Sequence, residues 1–127
     1  MKEISLVFIG AGFGGVCRFV LGSLIISIMG KNFPWATMSI NLIGSFLMGF
    51  LFVLISNRLA DLAPLLTPLI LVGILGGFTT FSSFSIETLK LIQNGKLAYA
   101  LTYVLISTII GVSFAGLGFM IAQKITN

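Results

Sequence analysis

Gly73-Ile74-Leu75-Gly76-Gly77-Phe78-Thr79-Thr80-Phe81-Ser82-Ser83-Phe84-Ser85 is the stretch that decides the fold. It sits inside an apolar run, residues 65–92, that is long enough to cross a hydrocarbon core of roughly 30 Å, for which about 20 residues suffice. Its centre is nevertheless poor helix, a glycine pair followed by two β-branched threonines. Non-helical backbone at membrane depth persists only where protein or water satisfies its polar groups. The spacing therefore predicts a spanning helix broken near residues 76–80. Broken helices at the midplane build ion sites. The half beginning near Thr80 aims its N–H groups at an anion, and the half ending near Gly76 offers carbonyls to a cation. The alternative is a plain kink held by Ser and Thr hydroxyls.

Three further apolar runs flank this one, at residues 4–29, 35–56 and 97–122. Of the 127 residues 57% are apolar and only 8% charged, against roughly 25% charged in soluble domains. The reading is an all-α membrane protein, a single four-helix transmembrane domain over residues 1–127 with its third helix broken. Proline and glycine punctuate the short connectors, at Gly30 and Pro34, at Pro64, and at Gly95. The first run exceeds the apolar core of a secretory signal and carries Arg18 near its middle, so it reads as a retained helix.

Enzyme chemistry is excluded on inventory. The chain has no His and one cysteine, Cys17, and its acids are Glu3, Asp61 and Glu87. These cannot form a His/carboxylate metal site or a Ser-His-Asp triad. Gly10-Ala11-Gly12-Phe13-Gly14-Gly15 matches a dinucleotide-binding glycine pattern. That pattern needs a preceding strand and an acid about 20 residues on. Neither is present.

Polar and small residues recur at four-residue spacing inside the spans, and residues four apart share a helix face. Span one has Gly10, Gly14, Arg18 and Gly22; span two has Thr37, Asn41 and Ser45; span four has Tyr99, Tyr103, Ser107, Gly111 and Ala115. Close helix packing explains the glycines of span one. It explains the hydroxyls and amide less well, since Leu or Ala packs without a polar group to satisfy. Phe81 and Phe84 lie on one face of the second half-helix. Such a pair usually means packing or lipid contact, but the positive edge of an aromatic ring also favours an anion without offering a fixed charge. Asn41, Ser82, Ser83 and Ser107 add neutral donors around it. A conducting site must bind an ion and still release it, which neutral donors permit. Arg18 and Glu87 are charges at membrane depth, and so are structural or pore-vestibule candidates. Arg18 is long enough to snorkel or to bond carbonyls at the break, and Glu87 lies within reach of Lys90.

The net charge is +4. With four spans, Lys2, Arg58 and Lys124 flank one side and Lys31, Lys90 and Lys96 the other. Cationic flanks normally fix orientation; a balanced count makes insertion both ways, and hence antiparallel pairing, available.

These residues resemble the Fluc fluoride channels, also called the CrcB family, over essentially the whole chain. Three segments carry the resemblance. Gly14-Gly15-Val16-Cys17-Arg18-Phe19 is similar to the first-helix motif, with Gly15 and Phe19 where Ala and Tyr are more usual. Asn41-Leu42-Ile43-Gly44 is similar to the second-helix Asn-x-x-Gly motif. Residues 73–84 match the third-helix signature Gly-x-x-Gly-Gly-x-Thr-Thr-Phe-Ser-Thr-Phe, departing only at Ser83. The resemblance implies a multi-pass protein of the bacterial plasma (inner) membrane, an antiparallel (dual-topology) homodimer with two pores. It implies passive export of fluoride that accumulates by weak-acid entry. Phe81 and Phe84 would present ring edges to fluoride, with Asn41 along the path, Ser82, Ser83 and Ser107 forming a polar track, and Tyr103 close to Glu87. A structural sodium ion would lie at the dimer axis on the backbone carbonyls of Gly76 and Thr79 from both subunits. Gly111 stands where some relatives carry another hydroxyl. A small proton-coupled multidrug exporter is the rival reading, but it wants a carboxylate inside the first span, and Glu3 is at the edge. A non-transporting assembly subunit is a third, opposed by the polar stripes.

Overall fold

Glycine and proline set the ends of the helices in the computed structural model, which describes all of residues 1–127. Helix α1 (Lys2–Met29) stops at Gly30, whose φ of 78° lies in the left-handed region open to glycine. Pro34 precedes α2 (Trp35–Arg58). A 3-10 turn at Ala60–Leu62 leads into α3, residues 63–78, which opens with Pro64 in its first turn. Thr79 and Thr80 are then extended, with ψ of 158° and 118°. Helix α4 (Phe81–Gln93) completes the third span. Gly95, at φ 73°, makes the turn into α5 (Leu97–Thr126). Four stretches, Lys2–Met29, Trp35–Arg58, Ala60–Gln93 and Leu97–Thr126, are long and apolar enough to cross a membrane.

The break is narrower than the sequence suggests. Helical winding continues through Gly76–Phe78, and only the two threonines leave it. The other difference is inside α3, where Thr67–Leu75 winds as a π-helix. π-winding is usually confined to a single turn and concentrates at functional sites. Pro68 supplies a local cause, because it has no N–H to donate and its ring crowds the carbonyl four residues back.

The helices pack as two backbone-close pairs. Gly10 and Gly14 on α1 lie directly against α3: an added methyl on Gly10 would strike the Leu69 carbonyl, and one on Gly14 the Ile74 carbonyl. Gly77 answers from α3, resting on the Ala11 backbone. The small-residue stripe of α1 is therefore a packing seam, and Arg18, one turn beyond Gly14, meets α3 where it ceases to be helical. Helices α2 and α5 form the second pair, running parallel with Gly49 on the Ala115 carbonyl and Gly118 on the Phe46 carbonyl. Only 20 of 127 residues are buried. Most large apolar side chains point outward, as they must when the surroundings are lipid or a second helical bundle.

Candidate functional site

Both backbone groups of Thr80 and the carbonyl of Thr79 find side chains. In a continuous helix the Thr80 N–H would donate to the Gly76 carbonyl. Here it donates to Asn41 Oδ1 at 2.8 Å, and Asn41 Nδ2 donates back to the Thr80 carbonyl at 3.0 Å. The Asn41 amide thus pairs with one residue of extended backbone as a neighbouring strand would. Gly44, one turn along α2, makes room for the Thr79 methyl, which a side chain at 44 would strike. The two fixed members of the Asn-x-x-Gly motif therefore seat the two residues of the break. Arg18 Nη1 donates to the Thr79 carbonyl at 3.2 Å. The Gly76 carbonyl has lost its i+4 donor to Asn41.

Thr80 is the N-cap of α4, and its hydroxyl organises the helix start. Oγ1 accepts from the Ser83 N–H at 3.2 Å and donates to Ser83 Oγ at 3.1 Å. Ser82 Oγ lies 3.2 Å from the same oxygen. Since the single Thr80 proton goes to Ser83, Ser82 is the donor in that third contact. The proton inventory separates the two serines: Ser82 gives its proton to Thr80, whereas Ser83 only accepts and keeps its own free.

One turn further, Glu87 accepts at both oxygens, from Thr37 Oγ1 and from the Tyr103 hydroxyl, each at 2.8 Å. It is held by two hydroxyls from α2 and α5 rather than by Lys90. Aromatic rings continue the line. Phe81 and Phe84 have centroids 5.6 Å apart, Phe84 and Tyr103 5.0 Å, and Tyr103 and Phe33 5.7 Å in an edge-on arrangement. Phe81 is largely exposed, while Phe84 packs against the buried cluster containing Met38, Leu91 and Tyr103. Ser107 Oγ, on the Tyr103 stripe of α5, is buried without a hydrogen-bond partner.

Three cavities adjoin these groups. A cavity of about 720 Å³ is lined by Arg18, Thr37, Thr80, Ser83 and Glu87. A second, about 360 Å³, lies beside Asn41, Ser45 and Phe81. A third, about 280 Å³, opens at the α1–α2 end, rimmed by Lys31, Lys90 and Lys96 with Glu87 at its lining. No cluster of His, Cys, Asp or Glu could hold a metal ion.

The structure thus gathers Arg18, Asn41, Thr79, Ser82 and Ser83 at the break and joins Glu87 to Tyr103. Sequence reasoning passed over Thr80 and Thr37 as site residues. Thr80 had a readable signal, a hydroxyl three residues before Ser83 at a helix start. Thr37 had only its place in the α2 stripe, since its partner is 50 residues away.

Comparison with known proteins gives a consistent result. Residues 5–119 match the family described as CrcB-like protein, Camphor Resistance (CrcB). The fluoride-specific ion channel FluC of Magnetococcus marinus is 46% identical over 123 residues, 97% of this chain and 99% of that one. FluC of Coxiella burnetii is 44% identical over the same span. FluC of Thermus thermophilus is 42% identical over 120 residues, 94% of each chain.

Proposed function

The chain belongs to the CrcB family, and from that membership together with the geometry of the break we propose that it is a fluoride-specific ion channel and not an enzyme. Likeness over nearly the whole chain to relatives named fluoride-specific channels carries the choice of ion. Within the chain, the supporting feature is a break whose Thr79 and Thr80 backbone groups are met by Arg18 and Asn41 while other donors stay free. Ser83 keeps a proton, Asn41 keeps one amide hydrogen, and Ser107 has no partner. Fluoride gives up a tightly held water shell, so a dehydrated ion needs several such donors. Neutral donors and ring edges provide them without the deep trap that a fixed cation would make.

In this reading fluoride passes the edges of Phe81 and Phe84, with Asn41, Ser83 and Ser107 as direct donors. Ser82 acts by orienting Thr80, and the Glu87–Tyr103 pair holds α4 against α5. Two copies pair antiparallel in the bacterial inner membrane and form two pores. The balanced flanking charges and the outward-facing apolar surface support such a pair. A structural sodium ion fits the break chemically. The carbonyls of Gly76 and Thr79 are hard, neutral oxygens suited to a small hard cation, and broken-helix carbonyls serve this purpose elsewhere. The Thr79 carbonyl accepts from Arg18 and retains a second lone pair. One chain offers too few ligands, so the ion would need both copies and would lock their breaks together.

The test is efflux from liposomes holding the purified protein. Under an imposed potential fluoride leaves much faster than chloride. Equal rates, no flux, or transport of a quaternary ammonium in place of fluoride would refute the reading.

A further inference from the structure

The parallel pairing of α2 and α5 sets their polar stripes side by side. Met38 packs with Tyr103, and Gly49 touches the Ala115 backbone. Between these levels, a Cβ built on Gly111 would lie 3.8 Å from Ser45 Oγ and 3.9 Å from Leu42 Cδ2. The α5 stripe carries hydroxyls at Tyr103 and Ser107 and then has none at Gly111 and Ala115. The α2 stripe runs Thr37, Asn41, Ser45, so it still carries a hydroxyl at the level where α5 loses its own.

Ser45 also lines the cavity of about 360 Å³ that Asn41, Thr79, Thr80 and Phe81 share. Like Ser39 and Ser107 it makes no back-bond along its own helix, and unlike Ser39 it lines this cavity. Ser5, Ser23, Ser27, Ser56, Ser85 and Ser113 each donate to a carbonyl three or four residues back. Such back-bonding is the default for a serine inside a helix. Ser45 forms no hydrogen bond within the chain and is half-buried, facing that cavity.

We propose that Ser45 coordinates the permeating anion, its hydroxyl donating into the cavity between the Phe81 ring and the Asn41 amide and standing in for the hydroxyl that α5 lacks at Gly111. The assignment rests on the fluoride-channel reading. It adds to that reading a donor on α2, so the polar route changes helices at this level instead of following α5 throughout. A dehydrated anion passing Phe81 then meets two donors one turn apart on the same face of α2, Asn41 beside the break and Ser45 beyond it.

The experiment uses full-length protein in liposomes, with size-exclusion chromatography of each variant to establish that its assembly is unchanged. Ser45→Ala is expected to slow fluoride efflux about tenfold, the effect of one lost hydrogen bond to a charged ligand at a barrier. Ser45→Thr keeps the hydroxyl and is expected to stay within about twofold of the parent on the same scale. Gly111→Ser placed in the Ser45→Ala background returns a hydroxyl to the same space, where a Cβ meets only ordinary contacts. Efflux should rise again by several-fold. A wild-type rate for Ser45→Ala overturns the proposal. So does a slow Ser45→Ala that neither Ser45→Thr nor Gly111→Ser relieves, because Ser45 is then a packing residue. Absence of fluoride efflux from the unmodified protein is a separate outcome, and it removes the channel reading itself.

Discussion

Residues 63–78 and Phe81–Gln93 belong to one span, but they are held in place by different forces. The first half has its glycines and carbonyls against α1 and is positioned by backbone contact, with Gly10, Gly14 and Gly77 at the closest approaches. The second half packs Phe84 and Leu91 against Met38 and Tyr103, and to that apolar contact it adds polar side chains that the first half lacks: Asn41 on the Thr80 backbone, Thr80 at the cap, and Thr37 and Tyr103 on Glu87. Steric fit has little tolerance, because a methyl cannot share space with a carbonyl. Hydrogen bonds can be removed one at a time from a fold that stays intact. The first half is therefore built as a fixed wall and the second as the adjustable side of the site.

The comparison predicts a graded series of substitutions. Gly14→Val should have the largest effect, since its side chain runs into the Ile74 carbonyl. Overpacking costs about 1–3 kcal/mol in a core that can yield, and backbone yields less. Loss of a monodisperse assembly in detergent is expected; a well-folded, conducting Gly14→Val protein would contradict the rigid-wall account. Asn41→Leu comes next. It leaves the Thr80 N–H and C=O without partners, at about 1–3 kcal/mol for each unsatisfied group, so thermal stability and flux should fall together. Phe84→Ile should retain the assembly but reduce fluoride efflux on the order of tenfold, matching a ring contribution of about 1.4 kcal/mol. Ser83→Ala should slow efflux several-fold more than Ser82→Ala, because Ser83 alone keeps a free proton. Ser85→Ala should change stability by less than about 0.5 kcal/mol; its exposed hydroxyl only folds back on the Phe81 carbonyl.

What could be read in advance divides along the same line. Apolar runs and breakers place all four spans, because length against bilayer thickness is a local property. The Gly76-Gly77-Phe78-Thr79-Thr80 composition locates the break to within three residues. The π-winding of Thr67–Leu75 was not legible, since Pro68 can equally kink or break a helix and the segment lies against α1, with Gly73 beside Gly10, through contacts distant in sequence. The Glu87 contacts were only half legible. Lys90 is the nearest cation in sequence, yet the hydroxyls of Thr37 and Tyr103 arrive from other helices and take both oxygens. The Asn41 pairing with Thr80 spans 39 residues of sequence. A periodic stripe shows that Asn41 faces inward without showing what it meets.

Lys31, Lys90 and Lys96 around the cavity at the α1–α2 end have a consequence for kinetics. Three ammonium groups against the single Glu87 carboxylate leave this cavity net positive, which raises the local concentration of small anions by an amount that depends on the ions around it. At about 0.01 M salt the screening length is about 30 Å and the rim acts as one field; at about 1 M it shrinks to about 3 Å and each lysine acts alone. With this cavity as an entrance to the proposed fluoride route, supply of ions to it falls as background electrolyte rises, even when the narrow part of that route is untouched. Rates measured in dilute and concentrated buffers will differ by an amount set at the protein's surface.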